Sequence, residues 1–129
     1  MKKIMILVTV VLTTMISCSQ SQNENAHEQN NNAAIYRLFP TQNMWTFLKL
    51  NTRNGQIWQV QYDIKENNRF ETSLNLVPQV TKENETNGRF LLYPTQNIYN
   101  FLLLDQIDGR TWQVQWSIEG KNRFITPIK

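Results

Sequence analysis

The stretch FLKLNTRNGQIWQVQYDI, residues 47–64, returns as FLLLDQIDGRTWQVQWSI at residues 101–118. Extended outward, residues 36–70 and 90–124 align without a gap at an offset of 54, and about half the positions are identical, among them PTQN, Gly55 and Gly109, WQVQ and NRF. The match runs on to Thr72 and Thr126. A chain that repeats a unit of this size repeats a supersecondary element. Such elements stack or pair to bury the face that one copy leaves open.

Each unit reads as four short strands. YRLF or FLLY is the first, ended by Pro40 or Pro94, which have no amide hydrogen to give a ladder. A TQN turn leads to WTFLKLN or YNFLLLD, then to WQVQYDI or WQVQWSI. In the third strand Trp58, Val60, Tyr62 and Ile64 alternate with Gln59, Gln61 and Asp63. A polar turn, KENN or EGKN, precedes a fourth strand carrying Phe70, Thr72 and Leu74, or Phe124, Thr126 and Ile128. Every connection suits a meander, and no segment has a helical apolar stripe. The expected fold is all-β: two tandem four-stranded antiparallel meanders forming a small eight-stranded barrel or sandwich, with the units related by pseudo-twofold symmetry. The second and third strands also resemble part of a propeller blade, and two blades close a propeller only if several chains assemble.

The turn between the second and third strands decides which side chains share a face. A two-residue type I′ loop at Asn54-Gly55 or Asp108-Gly109 sets Lys49 opposite Val60. A three-residue turn with the glycine in the left-handed position sets Lys49 opposite Gln59 and Leu50 opposite Trp58. A slip of one residue exchanges the faces, and the hydrophobic pattern favours the three-residue turn. The expected core is then Leu48, Leu50, Trp58, Val60, Tyr62 and Ile64, with Leu102, Leu104, Trp112, Val114, Trp116 and Ile118. The other face carries Trp45, Phe47, Lys49, Gln59 and Gln61, matched by Tyr99, Phe101, Leu103, Gln113 and Gln115. Flat rings beside planar amides suit a sugar or an extended peptide. Trp45, Phe47, Gln59, Gln61, Tyr99, Phe101, Gln113 and Gln115 are accordingly the candidate ligand-binding residues.

The amino-terminal sequence gives the chain an address. Lys2 and Lys3 precede an apolar run from Ile4 to Val11 that is too short to span a membrane, a signal-peptide pattern. Met15-Ile16-Ser17-Cys18 resembles the bacterial lipoprotein box, with Met15 where leucine is usual. The resemblance implies that Cys18, the single cysteine, is acylated and anchors the chain to a membrane. Residues 19–34, SQSQNENAHEQNNNAA, read as a polar tether. The expected organisation is a signal peptide at 1–17, the lipidated cysteine and tether at 18–34, and a β domain at 35–129 with repeats at 36–77 and 90–129.

Charge and composition exclude several functions. The chain has 13 Lys and Arg against 10 Asp and Glu, and loss of Lys2 and Lys3 with the signal leaves 11 against 10. That balance argues against nucleic-acid binding, although Arg69-Phe70 and Arg123-Phe124 have the composition of a single-strand binder. The only histidine, His27, lies in the tether and the only cysteine is the acylation site, so no nucleophile has a nearby base. No metal or cofactor site is expected. Asp105 and Asp108 flank the second glycine turn, where their counterparts Asn51 and Asn54 point to turn chemistry. PTQN is either a strand stop whose Thr and Asn satisfy backbone groups, or a rim presenting the amides of Gln42, Asn43, Gln96 and Asn97.

The repeated pattern of an aromatic strand, PTQN, F-L-x-L-(D/N), a glycine turn and WQVQ(W/Y) resembles a group of small secreted or lipidated repeat proteins of Bacteroidota. The resemblance covers nearly the whole mature chain. It implies a lipoprotein of a Gram-negative envelope, at the outer membrane and facing either side, and it brings no established activity. The expected function is non-enzymatic: a lipid-anchored protein that binds a protein or glycan through the aromatic and glutamine face. The alternatives are an immunity or inhibitor protein acting on a toxin in the envelope, and a structural, self-associating envelope protein.

Overall fold

Each repeat folds into its own sheet. The computed structural model describes residues 34–129; the expected signal segment, the expected lipid-anchor site Cys18 and nearly all of the expected tether lie outside the described residues. The first sheet has the order β1 (Tyr36–Pro40), β2 (Thr46–Asn51), β3 (Ile57–Gln61) and β4 (Phe70–Asn75). The second has β5 (Phe90–Pro94), β6 (Asn100–Asp105), β7 (Thr111–Gln115) and β8 (Phe124–Pro127) in the same order. All neighbours are antiparallel. Two separate four-stranded meanders form a sandwich and no closed barrel.

The prolines and PTQN turns act locally as their residue types dictate. Pro40 and Pro94 close the first strand of each unit. Thr41 Oγ1 donates to the Thr46 carbonyl at 2.8 Å, and Asn43 Oδ1 accepts from the Trp45 amide at 2.9 Å. Thr95 and Asn97 repeat both bonds at 2.9 and 3.0 Å. Side-chain oxygens thus satisfy the backbone groups a tight turn leaves over, while Gln42 and Gln96 face solvent.

The hairpin register differs from the expected one. Lys49 pairs with Trp58 and Leu48 with Gln59; Leu103 pairs with Trp112 and Leu102 with Gln113. The loop has four residues, 52–55, because Asn51 and Gln56 still pair through the Asn51 amide at 2.9 Å. Asn51 Oδ1 accepts from the Arg53 amide at 3.0 Å, an Asx turn that takes one more residue out of the strand. Gly55 and Gly109 supply the left-handed step that closes the loop, with φ of +81° and +72°. The third strand is also shorter than expected. Arg69 donates to the carbonyls of Asp63 and Ile64, drawing the chain off the ladder after Gln61 and leaving Ile64 83% exposed.

This register sorts each sheet into a leucine–glutamine face (48, 50, 59 and 61; 102, 104, 113 and 115) and a tryptophan face (47, 49, 58 and 60; 101, 103, 112 and 114). The core joins unlike faces. Leu48, Leu50 and Ile57 of the first sheet pack in one cluster with Phe90, Leu92, Phe101, Leu103, Trp112, Val114 and Trp116 of the second. The leucine–glutamine face of the first sheet therefore lies on the tryptophan face of the second. The expected pseudo-twofold arrangement would have joined like faces; the observed packing is head to tail.

Small differences between the repeats select this arrangement. On the tryptophan face, buried Leu103 and half-buried Ile125 of the second sheet stand where the first has Lys49 and Glu71, an ion pair. On the leucine–glutamine face, buried Ile57 and half-buried Phe39 stand where the second sheet has Thr111 and exposed Tyr93. Each sheet turns inward the face on which it is the more apolar, since burying an ion pair costs more than its attraction returns. Trp58, Val60, Tyr62, Ile64, Leu102, Leu104 and Ile118, expected in the core, are half-buried or exposed.

The sheets are tied at two further places. The Phe90 amide donates to the Thr52 carbonyl at 2.8 Å, and Arg123 Nε reaches Gln59 Oε1 at 3.1 Å. The connector 76–89 closes over the first glycine turn, where the Gln79 amide donates to the Asn54 carbonyl at 2.7 Å.

Candidate functional site

The tryptophan face of the first sheet presents apolar and aromatic side chains that no other sheet covers among the described residues. Tyr36 and Leu38 of β1 are solvent-exposed, and Phe47, Trp58 and Val60 are half-buried with no second sheet packed over them among the described residues. Their equivalents Phe90, Leu92, Phe101, Trp112 and Val114 are all buried. Tyr36 meets Trp58 edge to face with centroids 6.2 Å apart, and Trp45 and Phe47 both pack on Tyr62, at 5.2 and 6.1 Å. At the centre, the Lys49 ammonium stands 5.0 Å from the Trp58 ring centroid and 5.8 Å from that of Tyr36, and pairs with Glu71. The result is a ring-rich surface around one ion pair, a composition typical of contact surfaces.

The proposed grouping of rings with glutamines does not form. Gln59 is fully buried on the opposite face from Phe47, its Oε1 accepting from Arg123. Its Nε2 is buried with no protein partner among the described residues. Gln61 shares that inner face and donates to the Asn68 carbonyl at 3.2 Å. Phe101 is buried in the core, across the sheet from Gln113, which donates to Asn100 Oδ1 at 2.7 Å on the outer face. The cause is the fourth loop residue, which moves every glutamine to the other side of its strand. Trp45 and Phe47 remain together on the open face. Tyr99 and Gln115 come together elsewhere, in a groove of about 410 Å³ with Trp116 and Asn122; there Tyr99 packs at a tilt on Trp116 at 5.3 Å and Gln115 donates to the Asn122 carbonyl.

Sequence reasoning missed the importance of Tyr36, Leu38 and Trp58. The signal was present in Lys49 and Glu71: charges at positions that are leucine and isoleucine in the other repeat mark the face that stays wet.

A second cluster surrounds Asp105. Its Oδ1 and Oδ2 each accept from Arg89 at 2.9 Å, and Oδ2 also accepts from Arg110 at 2.9 Å. The amides of Ile107 and Asp108 complete the shell. Burial by itself raises the Asp105 carboxyl, but the two guanidiniums and two amides outweigh it and hold it down at about 2. Asp108 adds a bond to Arg89 at 2.8 Å. Arg89 and Arg110 also border an open cleft of about 610 Å³ under the connector, yet their charges are already matched by Asp105 and Asp108. The turn chemistry expected of Asp105 is present, together with a buried ion pair that Asn51 and Ile35 of the first repeat do not make.

Compared with protein-family models, curated proteins and solved structures, the chain matches none.

Proposed function

We propose that the chain is a non-enzymatic, lipid-anchored protein of the cell envelope that binds a protein partner through the tryptophan face of its first sheet. One observation carries this reading: the first sheet leaves open the same face, with Phe47, Trp58 and Val60, that the second sheet buries against another sheet. A surface of that shape and composition is suited to cover by polypeptide. A glycan site is less well supported, because the planar amides that would grip hydroxyls lie on the other side of the strands. A structural role for the acidic cluster fits its saturation by guanidiniums and amides. The anchor rests on the lipoprotein-box resemblance at Cys18.

The test is a photo-crosslinking residue placed at Leu38, and separately at Lys82, in the full chain within the envelope. Leu38 lies on the open face, and Lys82 is an exposed position of the connector 76–89. Adducts from Leu38 and not from Lys82 are expected. Absence of any protein adduct from Leu38, together with glycan-array binding that is lost in Trp58→Ala, would replace the protein partner with a carbohydrate. Retention in the membrane of Cys18→Ala would sink the lipid anchor.

A further inference from the structure

We propose that the partner is a second copy of this chain: the tryptophan face of the first sheet in one copy docks on the leucine–glutamine face of the second sheet in the next. This rests on the reading of the first face as a protein-binding surface. Within the chain, a leucine–glutamine face already packs on a tryptophan face, and among the described residues one face of each kind is left unpartnered. The two open faces are repeat equivalents of the two closed ones. On the outer face Leu102 is 38% exposed and Leu104 half-buried, where Leu48 and Leu50 are fully buried.

The polar pins of the internal interface have counterparts on the open faces. Arg123 donates to the Ser117 carbonyl at 2.8 Å and the Ile118 carbonyl at 3.1 Å while reaching Gln59. Arg69 is held in the same way by the carbonyls of Asp63 and Ile64, at 2.8 and 3.2 Å. Its counterpart acceptor is Gln113, whose amide nitrogen is tied to Asn100, leaving the oxygen as acceptor. The Phe90 amide's bond to the Thr52 carbonyl likewise has repeat-equivalent groups in the Tyr36 amide and the Gln106 carbonyl.

The match is imperfect on both faces, since Tyr93 and Thr111 of the second sheet stand where the first has Phe39 and Ile57. Lys49 and Glu71 occupy the positions of Leu103 and Ile125, so docking has to desolvate an ion pair. The contact is therefore weaker than the internal one, and it forms where copies are concentrated, as on a membrane surface. Because unlike faces meet, the contact is heterologous and propagates into a ring or a filament.

Sedimentation of the chain from Ser19 to Lys129, which keeps every described residue, tests this over a range of concentrations. Reversible, concentration-dependent growth is expected. Lys49→Leu with Glu71→Ile, which copies the second repeat, is expected to tighten association roughly tenfold or more. Trp58→Glu and Leu102→Lys should each abolish self-association, and a mixture of the two should yield a heterodimer through the one pair of faces left intact. If Trp58→Glu self-associates unchanged, or Leu102→Lys alone does, the head-to-tail contact is wrong. If all variants, including the Leu/Ile double variant, remain folded monomers by circular dichroism and sedimentation, the second copy is excluded. In that case, Leu38 adducts containing a different protein would leave the binding face standing, and no adducts would remove both readings.

Discussion

Arg123 Nε shares its hydrogen between the Ser117 carbonyl at 2.8 Å and Gln59 Oε1 at 3.1 Å, joining a turn of the second sheet to the inner face of the first. Gln59 is fully buried there with its Nε2 unpartnered by protein. The glutamine therefore contributes one bond while carrying the desolvation of an unmet donor. Gln59→Leu is expected to change stability by less than about 1 kcal/mol in either direction. Arg123→Met loses the bonds to both turn carbonyls and is expected to cost about 1–3 kcal/mol. Urea denaturation of the two variants distinguishes them.

Trp58 and Trp112 hold the same repeat position in opposite environments. Trp112 is 5% exposed and packs on Phe90 at 6.2 Å, whereas Trp58 covers Lys49 on the open face. Trp112→Ala should cost about 3–5 kcal/mol, and Trp58→Ala no more than about 1–2, since it opens no internal cavity. Equal losses in denaturant midpoint would contradict the head-to-tail packing.

The Asp105 carboxyl, held at about 2 in the folded chain against 3.8 ordinarily, couples folding to acid. Its folded value is depressed, so the stabilisation is complete above about pH 4 and is lost as pH falls towards 2; a shift of this size is worth about 2 kcal/mol. Asp105→Asn should flatten that part of the pH–stability curve and cost about 3 kcal/mol at neutral pH, because Arg89 keeps only Asp108 as a counter-charge. Asparagine at the equivalent Asn51 shows that the turn itself accepts the amide. Thermal melts from pH 2 to 7 on both proteins measure the difference.

Gly55 and Gly109 share a left-handed conformation but not a neighbourhood. A Cβ on Gly55 would stand 3.0 Å from Gln79 Cγ and 3.3 Å from Phe90 Cδ1, whereas one on Gly109 would meet nothing within 4 Å. Gly109→Ala should cost about 1–2 kcal/mol from backbone strain alone. Gly55→Ala should cost clearly more, because the connector and the core must shift. The comparison of unfolding midpoints is direct.

Much of this architecture was legible from residues. The duplication, the eight strands, the PTQN turns and the all-β class follow from alternation, proline and side-chain acceptors acting within a few positions. The turn was misread by one residue: the Asn51 side chain captures the Arg53 amide, and no hydrophobic count reveals that capture. That one residue carried Gln59 inward and Trp58 outward, and with them the proposed ring-and-amide site.

The sequence alone determined that two copies of one four-stranded unit exist and that neither can bury its apolar surface by itself. Both faces of that unit are apolar enough to be covered, so periodicity could not choose between them. The tertiary structure made the choice by setting Leu103 and Ile125 against Lys49 and Glu71 and burying the cheaper face in each sheet. Among the described residues, pairing unlike faces leaves one of each kind open, and that asymmetry exists only once the two sheets have met.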